Sequence, residues 1–423
     1  MDPKQLLLGS FHAAVGAADS LKILPQHLPA PPAGRTLVVG AGKAAASMAL
    51  AVERHWPQDT PLEGLVLTRY GHGIPTHRIK VVEAGHPVPD AAGEAAAREV
   101  LRKVEALSPG DLLLALVSGG GSALLALPAE GLAMDALRAT TRDLLRSGAP
   151  IQDMNTVRKH LSAIHGGRLA AACRAPVLAL IISDVTGDDP THIGSGPCAP
   201  DPTTYGDALK ILDRYGVNSS ASVREHLQRG AHGEIPETPK PGDRVFQRVE
   251  NRVIATARQS LHAASDFFRL HGVPAVIIGD SVTGEAREVA KAQGALARRI
   301  LRHGDPEKPP VALISGGECT VTVRGAGRGG RCTEFLLSLA IDLAGLPDVR
   351  AIACDTDGID GSEDNAGAVL LPDSLERAAK LGLDASKLLA DNNSYGFFSG
   401  IEDLVVTGPT RTNVNDYRAI LIV

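Results

Sequence analysis

The strongest constraint on this chain is an alternation. Short apolar runs recur along it, and Ala-rich segments with helical spacing fill the gaps. Arg35–Val39 leads into Gly40-Ala41-Gly42-Lys43 and a helical stretch through Ala51. Leu65–Leu67, Ile79–Val82, Asp111–Val117 and Val177–Ser183 read as further strands, with a helix over about Ala91–Leu107. Strands that are apolar on both faces, separated by helices, belong to a mostly parallel sheet covered on both sides. Gly230–Asp243 (GAHGEIPETPKPGD) has no periodicity and reads as a linker. Beyond it the alternation resumes at Val253–Ala255, Ala275–Ile278, Val311–Ile314, Thr320–Val323, Arg350–Ala353, Ala366–Leu371, Leu404–Val406 and Ala419–Val423. The expected architecture is α/β in two domains, 1–240 and 241–423.

Composition narrows the function. Only 3% of residues are aromatic and the net charge is -5, which removes both the stacking platforms and the basic footprint of a nucleic-acid binder. The five cysteines (Cys173, Cys198, Cys319, Cys332, Cys354) are widely spaced with no CxxC pair, so a reducing cytoplasm fits. No apolar run reaches membrane-spanning length, and the N-terminus reads as an amphipathic helix. Glycine is abundant, 45 of 423 residues, and much of it sits at strand ends.

Those strand ends carry the chemistry. In Gly40-Ala41-Gly42-Lys43-Ala44-Ala45, glycines between strand and helix offer backbone donors to an anion, and Lys43 adds a charge. The spacing meets a dinucleotide fingerprint but lacks its acidic partner, and it is not a Walker A loop. Ser118-Gly119-Gly120-Gly121-Ser122 is a second phosphate or carboxylate cradle. Asn155, Arg158 and Lys159 fall near one helical face and suit a small anion, or a solvated surface. Asp184, Asp188 and Asp189 follow a buried strand, where carboxylates can take a hydroxyl proton, hold Mg²⁺ through water, or merely cap a loop. Gly316, Gly317 and Glu318 precede an Arg-Gly run, Arg324–Arg331, in which Arg328 and Arg331 suit phosphate contacts and the glycines suit movement. Asp355 and Asp357 open an acidic loop that starts like an EF-hand but fails at Ile359 and Ala366. The histidines form no zinc pattern, and most read as surface or capping residues.

In order, VVGAGKAAASMA, LVSGGGSALL, MNTVRKHLSAIHGGRLA, ISDVTGDDPTHIGSGPCAPDPTTY, LISGGECTVTVRGAGRGGRCTEF, ACDTDGIDGSEDNAGAV and VVTGPTRTNVND resemble the glycerate 2-kinase family across nearly the whole chain. The resemblance implies an N-terminal Rossmann-like, doubly wound sheet and a C-terminal MOFRL-type α/β domain with a mixed sheet, the active site lying in the cleft between them. It implies ATP-dependent phosphorylation of D-glycerate on its 2-hydroxyl, with ATP and Mg²⁺ or another divalent cation. The family's loop lysine falls on Lys43 and its arginine before the long C-terminal helix on Arg331. Cys332-Thr333 stand where members often carry Asn-Gln.

On that basis Lys43 and Arg331 would neutralise the transferring phosphoryl group, and Asp184 or Asp188 would orient or deprotonate the hydroxyl. Gly40, Gly42, Ser118–Ser122, Asn155, Arg158, Gly316, Gly317, Glu318 and Arg328 would bind substrate or phosphate. Asp189, Asp355 and Asp357 would be the metal ligands. The expected partners are D-glycerate and ATP, without nucleic acid or membrane, in a monomer or homodimer. Two rivals share the motifs: an NADPH-dependent hydroxypyruvate reductase and a non-catalytic sugar-phosphate sensor.

Overall fold

The computed structural model describes residues 2–423 and divides into two compact units. One runs from Ser20 to Ile254; the other joins Ala255–Val423 to the N-terminal residues through Asp19. The division therefore falls later than 240, and the first helix belongs to the second unit. The stretch expected to be a linker is packed instead. Pro239 O accepts from Asp201 N at 2.9 Å, Thr238 is buried, and Lys240 Nζ reaches Thr203 O.

The first unit holds strands β1 (Thr36–Ala41), β2 (Leu62–Arg69), β3 (Ile79–Ala84), β4 (Leu112–Val117), β5 (Val177–Ile182) and β6 (Val249–Ala255), in the order β3-β2-β1-β4-β5-β6. The neighbours from β3 to β5 pair in parallel. Every residue of β1, β4 and β5 is buried, as a sheet with two covered faces requires. This order reverses between β1 and β4. In open α/β sheets that switch point is where ligands bind, outside the carboxyl ends of the strands.

The second unit carries β7 (Ala275–Gly279), β8 (Gly284–Glu285), β9 (Val311–Gly317), β10 (Cys319–Thr320), β11 (Val349–Asp355), β12 (Gly367–Leu370), β13 (Leu404–Val405) and β14 (Asp416–Ile422). Its six-stranded sheet runs β13-β12-β11-β14-β9-β7 and is mixed: β7 and β9 are parallel, the other pairs antiparallel. β8 and β10 form a separate ribbon, and the β segment expected over 320–323 ends at Thr320. Side chains alternate between the two faces. Ala312, Ile314, Tyr417 and Ala419 pack on the helices Pro3–Gly16 and Ala257–Leu270, while Leu313, Ile420 and Ile422 face the helices Ala286–His303 and Arg331–Leu343. This explains where the N-terminal helix goes. Leu6, Leu7 and Phe11 join the first of these clusters, and Tyr417 donates to Ser10 Oγ at 2.8 Å.

Candidate active site

At the switch point of the first unit, the loops after β1 and β4 are stitched together. Lys43 N donates to Gly119 O at 2.8 Å and Ala44 N to Ser118 Oγ at 3.0 Å. Gly42 N reaches Leu67 O, and Ala45 N reaches Gly42 O. All the amide donors from Gly42 to Ala45 are thus consumed inside the protein. The first glycine loop is therefore no backbone cradle; the group it offers is the Lys43 side chain. Gly40 lies within β1, where a Cβ would overlap Leu116 O, so it serves strand packing. Gly42 has φ +139, and a Cβ there would overlap Ser118 Oγ.

The second loop differs. Gly119 and Gly120 donate their amides to no acceptor among the described residues. Gly120 is left-handed, with φ +83, and turns the chain into the short helix Gly121–Leu124. A Cβ on Gly120 would lie 3.0 Å from His86 Nε2 and 3.7 Å from Lys43 Cγ, so its hydrogen makes room for both side chains. Adjacent free amides around a left-handed residue form an anion-binding concavity.

A polar network continues from this loop. Ser195 Oγ lies 2.8 Å from Ser122 Oγ and 3.3 Å from Asn155 Oδ1, which accepts from Arg158 at 3.3 Å. Asn155 donates to His192 O. Ser195 itself has φ +58, a strained state for a non-glycine residue. Arg158 has no carboxylate partner among the described residues, and burial lowers its pKa. Lys159, expected on the same face, turns away and pairs with Asp201 at 3.3 Å, both fully buried. Asp184 follows β5, and Asp188 is left-handed at φ 55. Asp189 Oδ1 accepts from Thr191 N at 2.9 Å.

His86 is the residue that motif reading missed. It follows β3 by two positions, and burial, then Lys43, Arg69, His72 and Arg158, push its pKa down to about 4. Examining every carboxyl strand end of the sheet, rather than glycine-rich ones alone, would have found it. Four of the other histidines, His72, His160, His165 and His226, are buried, while His12, His55, His77, His232, His262, His271 and His303 are exposed.

In the second unit Arg331 opens a helix and meets three carboxylates. Its Nε donates to Asp416 at 2.8 Å, one Nη to Asp355 at 2.7 Å, and the other lies 2.8 Å from Glu318. Burial opposes its charge, but Asp416, Asp355 and Glu318 outweigh that and hold its pKa well above the ordinary value. Gly316 and Gly317 lie within β9, where Gly316 O accepts from Arg418 at 2.7 Å. Exposed Arg328 pairs with partly buried Glu363 at 3.1 Å and stacks over Tyr395. The Arg-Gly loop, expected to move, is anchored: Asn392 Oδ1 accepts from Arg324 N and Gly325 N, Asp391 Oδ1 from Ala326 N, and Asp391 O from Gly327 N.

Asp189 belongs to one unit, Asp355 and Asp357 to the other; Asp355 is held by Arg331, and Asp357 Oδ1 accepts from Ile359 N at 2.8 Å. No group of three or more acidic, His or Cys side chains among the described residues is arranged to hold a metal. No helix among them is long and apolar enough to cross a membrane.

Residues 6–228 match the family model described as a domain of unknown function, DUF4147, and residues 311–416 match the MOFRL family. The chain is 49% identical to a putative hydroxypyruvate reductase of Agrobacterium vitis, covering 99% of this chain and 94% of that protein. It is 40% identical to the glycerate 2-kinase of Pyrococcus horikoshii, over 90% of this chain and 86% of the relative. The crystal structure of the glycerate kinase from Thermotoga maritima superposes with a TM-score of 0.87 at 38% identity, covering 99% of both chains.

Proposed function

This chain belongs to the glycerate kinase family built from DUF4147 and MOFRL domains, and from that premise we propose that it transfers the γ-phosphoryl group of ATP to the 2-hydroxyl of D-glycerate. The observation that carries the reading is the donor set at the switch point: the free Gly119 and Gly120 amides, the Lys43 side chain beside them, and Arg158 without a carboxylate. Such a set suits a small acid and a phosphoryl group. Phosphoryl transfer asks for positioning and charge neutralisation more than covalent chemistry.

In this reading Arg158 and the Ser122–Asn155–Ser195 network bind the glycerate carboxylate and its non-reacting hydroxyl. Lys43 and the Gly119 and Gly120 amides take the charge of the transferring group. Arg331 is the second cation we assign to phosphate, with half-exposed Glu318 the partner that phosphate would displace. A divalent cation would reach such a site bound mainly to nucleotide phosphates, as Mg²⁺ commonly does, with one or two carboxylates added. Five buried free thiols suit a reducing compartment.

The reductase reading draws on the name of the Agrobacterium relative. Against it, a dinucleotide fingerprint needs free amides in the first glycine loop for the pyrophosphate, and here those from Gly42 to Ala45 are taken. One assay separates the readings. ATP, Mg²⁺ and D-glycerate should give ADP and a phosphorus NMR signal of 2-phosphoglycerate. NADPH oxidation with hydroxypyruvate and no ADP release would reverse the assignment.

A further inference from the structure

The site just described is rich in donors. Lys43, Arg69 and Arg158 only donate hydrogen bonds, and so do the Gly119 and Gly120 amides. A hydroxyl that attacks phosphorus must pass its proton to an acceptor. His86 stands where one is needed. It follows β3 at the carboxyl edge of the sheet, and its Nε2 lies against Gly120 beside the Lys43 stem. Its ring has no hydrogen-bond partner among the described residues, and neither nitrogen is sealed from solvent.

We propose that His86 is a catalytic residue of glycerate phosphorylation: Nε2 accepts the hydrogen bond of the attacking 2-hydroxyl and then its proton. The new bond joins the 2-oxygen to the γ-phosphorus. The bond from that phosphorus to the bridging oxygen breaks, ADP leaves with the electron pair, and the proton passes from His86 to solvent. This rests on the kinase reading above.

The surroundings suit the role. Burial and the cations Lys43, Arg69, His72 and Arg158 keep the imidazole neutral at neutral pH, so its lone pair is available. Substrate brings a carboxylate and phosphates into that ring of cations, which raises the proton affinity of Nε2 at the moment of use. His86 thereby takes the role that motif reading gave to Asp184 or Asp188.

The test uses the full-length protein with ATP, Mg²⁺ and D-glycerate. His86→Ala should lower kcat about 10²–10³-fold, the usual worth of a general base, with KM for ATP little changed. Added imidazole should restore at least a tenth of the lost rate, which a purely structural histidine would not allow. His86→Gln, which keeps an acceptor oxygen, should exceed His86→Ala. A kcat within threefold of wild type in His86→Ala, or a folded variant that neither imidazole nor glutamine rescues, overturns the proposal. Should both variants misfold, histidine-selective ¹⁵N NMR of the wild type decides: D-glycerate must shift the unprotonated His86 nitrogen, and no shift overturns it. Wild-type protein that makes no ADP from D-glycerate overturns the kinase reading itself, and this inference with it.

Discussion

Two arginines, one in each unit, are deployed in opposite ways. Arg158 is partly buried with no carboxylate partner among the described residues, whereas Arg331 sits among Asp355, Asp416 and Glu318. Removing Arg331 takes from buried Asp355 and Asp416 a cation they share, and breaking a buried pair costs about 3–5 kcal/mol. Arg331→Ala should therefore lose stability in chemical denaturation as well as turnover. Arg158→Ala removes an uncompensated charge, so the fold should persist. A charge-assisted hydrogen bond is worth about 1.5–3 kcal/mol, which predicts a KM for D-glycerate raised roughly 10–100-fold in steady-state kinetics. Lys43→Ala should cost turnover about 10²–10³-fold, as losing one preorganised donor does. Lys43 and the Ser118–Ser122 loop were legible because glycine runs at a strand's end are a local mark, and Arg158 because helical spacing puts it near Asn155. A lone His86 after β3 carries no such local mark, and only the parallel sheet brings it beside Gly120.

At the scale of elements, similar glycine motifs do different work. The loop after β1 uses its amides to hold the loop after β4, and Ser118 Oγ takes the amide of Ala44, the residue capping the helix Ala45–His55. Ser118→Ala should cost about 1 kcal/mol, the usual worth of a lost cap, measurable in urea. The Arg-Gly run looks mobile in sequence, yet Asp391, Asn392 and Asn393 bind its amides. Nothing local to residues 324–330 foretells partners more than sixty positions away. Asp360 holds the next helix in place, accepting from Cys332 N, Thr333 N and Thr333 Oγ1. Burial raises its pKa to about 6 against those bonds. A folded-state pKa above the unfolded one favours the native state below the unfolded pKa, and that contribution fades as pH rises. Urea stability should therefore lose this contribution between about pH 4 and 6, and Asp360→Asn should flatten that slope whatever it does to the baseline.

Across the whole molecule, the N-terminal helix is part of the second unit's core. Deleting residues 1–16 would uncover Leu261, Ala264, Phe268 and the strand side chains beneath them, and would leave Tyr417 without Ser10. The truncated chain should unfold earlier in calorimetry and bind a hydrophobic dye; an unchanged melting transition would contradict this packing. The alternation of apolar strands and Ala-rich helices, read from residue order alone, determined the α/β class, and the strand-end glycines marked Lys43 and the loop after β4. Both are local signals, because periodicity and turn chemistry act over a few residues. Which amides stay free, which arginine is saturated by acids, where the chain divides, and that His86 faces Lys43 were decided only in three dimensions. Each depends on partners tens to hundreds of residues apart, and sheet order is what brings them together.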